Sequence, residues 1–492
     1  MDAGTPGGQP VHSMRSLPCV VFASFAACQH AAVSEAPAPL EIPAIFADHM
    51  VLQQHTQAPL WGRTTPGTRV QLVASWDGEP QYCTARKDGT FRIDLATPEA
   101  GGPFTITVEA GTSRRVLQDV LIGEVWLGSG QSNMEMSVGD TAPGYRGVVN
   151  WQQEVAAANH PQIRLFTVEN KAAASAQTDL RGTWQVCTPD SAHRFSATAF
   201  FFGKRLHHEL RVPVGLIAAD WGGTPAESWT SPQALQAHGG FTTQLAGLTD
   251  PATAAKVNAH TPGALYQGMI APLVPYALAG WLWYQGESNR TRAAQYETLF
   301  PALIRDWRAQ WGRELPFFFV QIAPYAYAND RGEAAALRAA QAKARSLPAT
   351  GMAVTMDIGN PKDIHPANKQ EVGHRLARLA LAKVYGRTEV VCEGPEIQQA
   401  EFGTQAITLR FRGAHGGLAA ADRQPLRGFE VAGPDRVFVA AEATLTDAAD
   451  TVVVKVPPGQ TAQHLRYGWG AAIAPNLANG AGLPCVPFQR DR

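Results

Sequence analysis

Ser132 and His365 are the residues whose surroundings point to chemistry. Ser132 lies in Gly123-Glu-Val-Trp-Leu-Gly-Ser-Gly-Gln-Ser-Asn-Met-Glu-Met136, where an apolar run gives way to Gly128-Ser129-Gly130 and then to the entrance of a helix. A hydroxyl held just beyond the carboxyl end of a buried strand is well placed to attack a bound substrate. The plainer reading is that Ser132 only caps a helix. A free hydroxyl is a poor nucleophile near neutral pH, so the chemical reading requires a base. His365 follows the apolar run Met352 to Met356 through Asp357-Ile-Gly-Asn-Pro-Lys-Asp-Ile-His365-Pro, so it too lies beyond a strand end. Asp363 can accept from one imidazole nitrogen and leave the other facing the serine, with Asp357 as the spare candidate. Of the other histidines among the 14, His207, His208 and His374 sit in helical patterns and read as structural or solvated.

Acyl transfer also needs donors aimed at a developing oxyanion, and backbone amides at glycine turns supply them without side-chain reorganisation. Two such turns follow apolar runs. Asp220-Trp-Gly-Gly-Thr-Pro-Ala-Glu-Ser-Trp229 offers the amides of Gly222 and Gly223, and Trp281-Leu-Trp-Tyr-Gln-Gly-Glu-Ser-Asn289 offers Gln285 and Asn289. Each is equally readable as a tight turn in which glycine permits the backbone path. Ser132 does not sit in a G-x-S-x-G elbow, because Met134 stands where glycine is required, which weakens the α/β-hydrolase reading.

The elements that must hold these residues are a parallel sheet and its helices. Continuous apolar runs predict strands over Val120 to Leu127, Val214 to Asp220, Gly280 to Tyr284, Phe317 to Ile322 and Met352 to Met356. Three- and four-residue spacing predicts helices over Ala197 to Glu209, Ala293 to Trp311, Glu333 to Ser346 and Asn368 to Tyr385. Alternation of the two indicates a parallel sheet flanked by helices across 119–386. Short alternating runs between turn residues predict a small β-sandwich over 40–118 and a second β region over 387–492. The stretch from Ser137 to Arg194 has no clear period and reads as an active-site excursion.

Composition narrows the partners. A formal net charge of -1 with only 17% charged residues supplies no broad attraction for nucleic acid or an anionic membrane. Residues 1–39 read as an export signal and linker. Met14-Arg15-Ser16 leads into the apolar stretch Leu17 to Ala27, too short to span a bilayer permanently, and an Ala/Pro-rich segment follows. Release to the periplasm or exterior is expected. Phe25-Ala26-Ala27-Cys28 is a poor lipoprotein site, and lipidation is the alternative. Cys83, Cys187, Cys392 and Cys485 would remain, widely spaced and without metal-type pairing.

In order, GEVWLGSGQSNMEM (123–136), WGGTPAESWTS (221–231), WYQGESN (283–289) and DIGNPKDIHPANKQEVGHRLA (357–377) resemble the sialate O-acetylesterase family of the SGNH-hydrolase superfamily. The resemblance covers most of the chain from about Leu40. It implies a three-layer αβα, flavodoxin-like hydrolase domain with flanking β-sandwich regions, and hydrolysis of O-acetyl esters on carbohydrate with no cofactor or metal. Carried over by residue, Ser132 is the nucleophile, Gly223 an oxyanion donor, His365 the base and Asp363 the triad acid. Gln131 and Asn133 flank the nucleophile in a supporting part. Two departures stand out. Asp363 is two residues before the histidine where the superfamily has three, and Gln285-Gly286-Glu287-Ser288 replaces the generic G-x-N-D block. Gln285 is the expected replacement donor, with Glu287 orienting the site. Substrates within this reading are an O-acetylated sialic acid, whose carboxylate calls for an arginine such as Arg290 or Arg292, or an acetylated plant polysaccharide such as xyloglucan or xylan. Trp221 and Trp229 are candidates to stack a sugar ring. A noncatalytic carbohydrate-binding protein is the rival of another class.

Overall fold

The computed structural model describes Met1, residues 39–141 and residues 145–492. The export-signal reading falls almost wholly outside them. In chain order the central layer and its helices are β1 (Ser113–Gly130), α1 (Ser132–Glu135), β2 (His160–Thr167), β3 (Trp184–Cys187), α2 (Ala197–Leu210), β4 (Val214–Asp220), β5 (Gly280–Tyr284), α3 (Ala293–Trp311), β6 (Phe317–Val320), α4 (Glu333–Lys343), β7 (Thr350–Ala353) and α5 (Lys369–Lys383). The strands lie side by side as β7-β6-β5-β1-β4-β2-β3. All neighbours are parallel except the last pair, β2 with β3.

Alternation along each strand makes the three layers. Val125, Leu127, Trp281, Trp283, Phe317 and Phe319 join the core beneath α3 and α4. Trp126, Leu282, Phe318 and Val320, the residues between them, join the opposite core beneath α2 and α5. A strand buried on both faces needs a continuous apolar run, and that is why these strands are readable in the sequence. On the second face Gly373 brings α5 close to α2, because an added Cβ would lie 2.6 Å from Phe201 Cβ.

The boundary expected at 118/119 falls inside β1. Its first half pairs with the antiparallel strand Gly101–Ala110 and the parallel strand Val51–Gln53, and its second half lies between β4 and β5. Residues 39–112 therefore share one apolar core with the α3 side of the sheet. The C-terminal region forms antiparallel sheets with a separate core around Phe411, Val431, Val452 and Tyr467. It is tied to the central layer by the buried Arg338, whose guanidinium donates to the carbonyls of Gly470 and Ala471 at 2.7 and 2.8 Å.

One finding departs from the sequence reading. The stretch 137–194 supplies β2 and β3 at the sheet edge, where Arg164 is buried and paired with Asp119 at 2.7 Å. A buried, paired arginine in the middle of β2 breaks the apolar run that would have announced a strand. Cys83, Cys187, Cys392 and Cys485 are all free thiols. Among the described residues no helix is long and apolar enough to cross a membrane.

Trp281 is fully buried, with its ring 5.4 Å from Trp311, 5.9 Å from Phe317 and 6.0 Å from Trp307. Trp281→Ala is expected to cost about 3–5 kcal/mol of unfolding free energy, read from urea denaturation. A cost below about 1 kcal/mol would contradict this account of the core.

Candidate active site

Three loops converge beyond the carboxyl ends of β1, β4 and β5, the central neighbours of the sheet. β1 ends at Gly130 with φ +141°, and a Cβ there would lie 2.2 Å from the carbonyl oxygen of Tyr284 in β5. Only glycine allows this close approach. The Gln131 amide then donates to that same carbonyl at 3.0 Å, and Gln131 Oε1 accepts from the amides of Gly286 and Ser288, each at 3.2 Å. Ser132, half-buried, begins the single-turn α1.

The turn after β4 lies against the serine. A Cβ on Gly222 would come 3.5 Å from Ser132 Cβ, 3.4 Å from Tyr145 Oη and 2.7 Å from Glu135 Oε2. The Gly222 N–H donates to Glu135 Oε2 at 3.0 Å, and the Tyr145 hydroxyl donates to the same oxygen at 2.7 Å. That amide is committed. The next one, on Gly223, is exposed at φ +76° and has no partner among the described residues. Asp220, at the strand end, is buried with Oδ2 unpartnered. Burial, reinforced by the nearby Glu135 charge, pushes its carboxyl well above the usual carboxylate range.

His365 reaches this place on the loop between β7 and α5. Its half-buried ring packs edge-on to Tyr145, with centroids 5.1 Å apart and planes at 79°. Asn133, the residue after the serine, donates from Nδ2 to the carbonyl of Ile364, the residue before the histidine, at 3.0 Å. Burial lowers the basicity of the imidazole, the Lys369 charge lowers it further, and Asp363 opposes both. No direct hydrogen bond joins Ser132 to His365 here, and such bonds often close only around substrate.

The two candidate acids have different partners. Asp363 Oδ1 accepts the backbone N–H of His365 at 2.9 Å, and no hydrogen bond or ion pair links its carboxylate to the ring. Asp357 is gripped by both terminal nitrogens of Arg375 at 2.7 and 2.6 Å. Gln285 does not present its amide to the site. It is fully buried and donates to Thr224 O at 3.2 Å and to Asn289 Oδ1 at 2.7 Å. Asn289 is likewise committed, to Glu227 at 2.8 Å. Both hold the β4 turn onto the β5 loop. Glu287 accepts from Asn133 Nδ2 at 2.7 Å through Oε1, while its Oε2 is buried without a partner, and burial raises its carboxyl above the ordinary range. Trp229 is core, with Nε1 on Thr224 Oγ1 at 2.9 Å, whereas Trp221 is half-buried. Arg290 pairs with Asp330 at 2.7 Å and Arg292 with Glu227 at 2.7 Å. Among the described residues no cluster of three or more His, Cys, Asp or Glu could hold a metal ion.

Residues 122–382 match the profile of the carbohydrate esterase, sialic acid-specific acetylesterase family. The chain belongs to this family. Among its curated relatives, the sialate O-acetylesterase of Rattus norvegicus is 31% identical over 408 residues, 71% of this chain and 74% of the relative. That of Homo sapiens is 32% identical over 389 residues, 72% of each. The structure of a carbohydrate acetylesterase from Xanthomonas citri superposes with a TM-score of 0.83 at 35% identity, covering 92% of this chain and 99% of that one. The protein is thus a carbohydrate esterase of α/β architecture with additional β regions, and the noncatalytic reading is set aside.

Sequence reasoning missed Glu135, Tyr145 and Lys369 in this esterase. Tyr145 lies in the stretch without a period. Lys369 carried a readable signal, since a lysine in the first turn of a helix opposes the helix dipole and calls for a local reason. Gly130→Ala is expected to lower the melting temperature and to reduce ester turnover by roughly 100-fold, because the clash with Tyr284 must displace the serine turn. Wild-type turnover in that variant would contradict the close-approach argument.

Proposed function

We propose that the enzyme removes O-acetyl groups from carbohydrate by two-step acyl transfer through Ser132. His365 takes the serine proton as Oγ attacks the acetyl carbonyl, and the resulting imidazolium returns that proton to the departing sugar oxygen. Water, activated by the same ring, then hydrolyses the acetyl-serine. The Gly223 amide and the amide of Ser132 itself serve the oxyanion, since the Gly222 amide and the Gln285 and Asn289 side chains are bonded elsewhere. Asp363 acts as the acid partner through its field and by fixing the histidine backbone.

The observation that carries this reading is the convergence of the Ser132 turn, the unpartnered Gly223 amide and the half-buried His365 around Tyr145 and Asn133. The reading includes export, resting on the apolar stretch Leu17 to Ala27. On substrate, the pairing of Arg290 and Arg292 with carboxylates leaves neither with an unopposed charge for a sialate carboxylate, which favours an acetylated neutral polysaccharide as the second reading. Acetate release from acetylated sialoglycan and acetylated hemicellulose, measured side by side, separates the two.

Ser132→Ala should lower p-nitrophenyl acetate turnover by about three or more orders of magnitude with folding intact, and a variant keeping half its activity would overturn the assignment. The working base is the neutral imidazole, so kcat/KM falls as pH drops through the His365 pKa. Because that pKa is lowered, the half-maximal point of the acid limb is expected below the ordinary imidazole value of about 6.5. A limb above that value would contradict the burial and charge argument.

A further inference from the structure

Lys369 is fully buried, yet among the described residues no carboxylate forms an ion pair with it. Its Nζ donates to two neutral oxygens, Asn133 Oδ1 at 2.7 Å and Pro366 O at 2.8 Å, and sits 5.5 Å from the ring centroid of Tyr284. A buried ammonium held this way is expensive, and a structural bond between neutral groups would have been cheaper. Its geometry indicates why it is there. The carbonyls immediately before and after His365, on Ile364 and Pro366, accept respectively from Asn133 Nδ2 and Lys369 Nζ. Lys369 Nζ also donates to Asn133 Oδ1, which joins the two side chains, and Asn133 is covalently next to Ser132.

We infer that Lys369 is a positioning residue that closes a bracket around the histidine loop, fixing His365 relative to Ser132 through the single amide of Asn133. The inference rests on the acyl-transfer reading above. The bracket also delivers a charge. Lys369 faces Glu287 and Asp363, and His365 faces Lys369, Asp363 and the Tyr145 ring. The Lys369 ammonium favours the neutral, proton-accepting imidazole and opposes Asp363, which favours the imidazolium. Burial lowers the lysine itself to about 7, against a smaller opposing pull from Glu287 and Asp363.

The test uses the full chain with p-nitrophenyl acetate, comparing Lys369→Met, which keeps the apolar stem without donor or charge, with Lys369→Gln, which keeps a donor without charge. Lys369→Met should lose roughly 100-fold in kcat with KM changed less than about twofold, as expected for a misplaced base. In both variants the acid limb of kcat/KM should move to higher pH, because loss of the cation raises the basicity of His365. Titration with an organophosphonate corrects for any inactive fraction, and a purely structural lysine would alter that fraction and leave the limb unmoved. Lys369→Gln keeps the test open if Lys369→Met does not fold. Wild-type kcat together with an unmoved limb in a folded variant overturns the inference. Failure of the underlying reading looks different, since Ser132→Ala or His365→Ala would then retain activity.

Discussion

The site depends on one buried side-chain amide. Asn133 is fully buried, and its oxygen and nitrogen are bonded to Lys369, Glu287 and the Ile364 carbonyl. These partners come from α5, the loop after β5 and the loop before α5. An unsatisfied buried amide is costly, so the helix and the two loops are held to one mutual arrangement by the need to pair every atom of this group. Gln131 repeats the device one residue before the serine, receiving two amides of the β5 loop. Ser132 is thus flanked by two residues whose side chains face inward and leave its own hydroxyl as the group that faces outward.

The sheet makes that arrangement possible. β1, β4 and β5 are adjacent and parallel, so their carboxyl ends bring three turns to one place although the chain reaches them about 60 to 90 residues apart. The histidine arrives differently, on a long loop returning from the far edge strand β7, and bonds from Asn133 and Lys369 hold that loop to the serine turn. That difference explains why hydrogen bonds gather around residues 363 to 369.

Much of this was legible in the sequence. The bounds of β4, β5 and α3 agree with the residue patterns, because strands buried on both faces and a helix with one apolar face leave unambiguous periods. The four motif stretches lie together at one end of the sheet. Side-chain commitments were not legible. Gln285 and Asn289 have the chemistry of oxyanion donors, and whether their N–H groups are free depends on Thr224 and Glu227, some 60 residues away. Arg290 and Arg292 carry the right charge for a sialate, and only their contacts with Asp330 and Glu227 reveal that it is already answered. Strands β2 and β3 escaped notice because a sheet edge tolerates polar residues and an internal arginine.

The eighteen-residue strand β1 has a consequence for how the polypeptide can be divided. One end of it is hydrogen-bonded into the N-terminal β region and the other carries the serine turn, with no linker between. Any cut that separates the N-terminal region from the sheet therefore passes through one continuous, hydrogen-bonded strand. Removal of that region would strip the backbone partners from half of a load-carrying strand and expose an unpaired edge, a recognised route to aggregation.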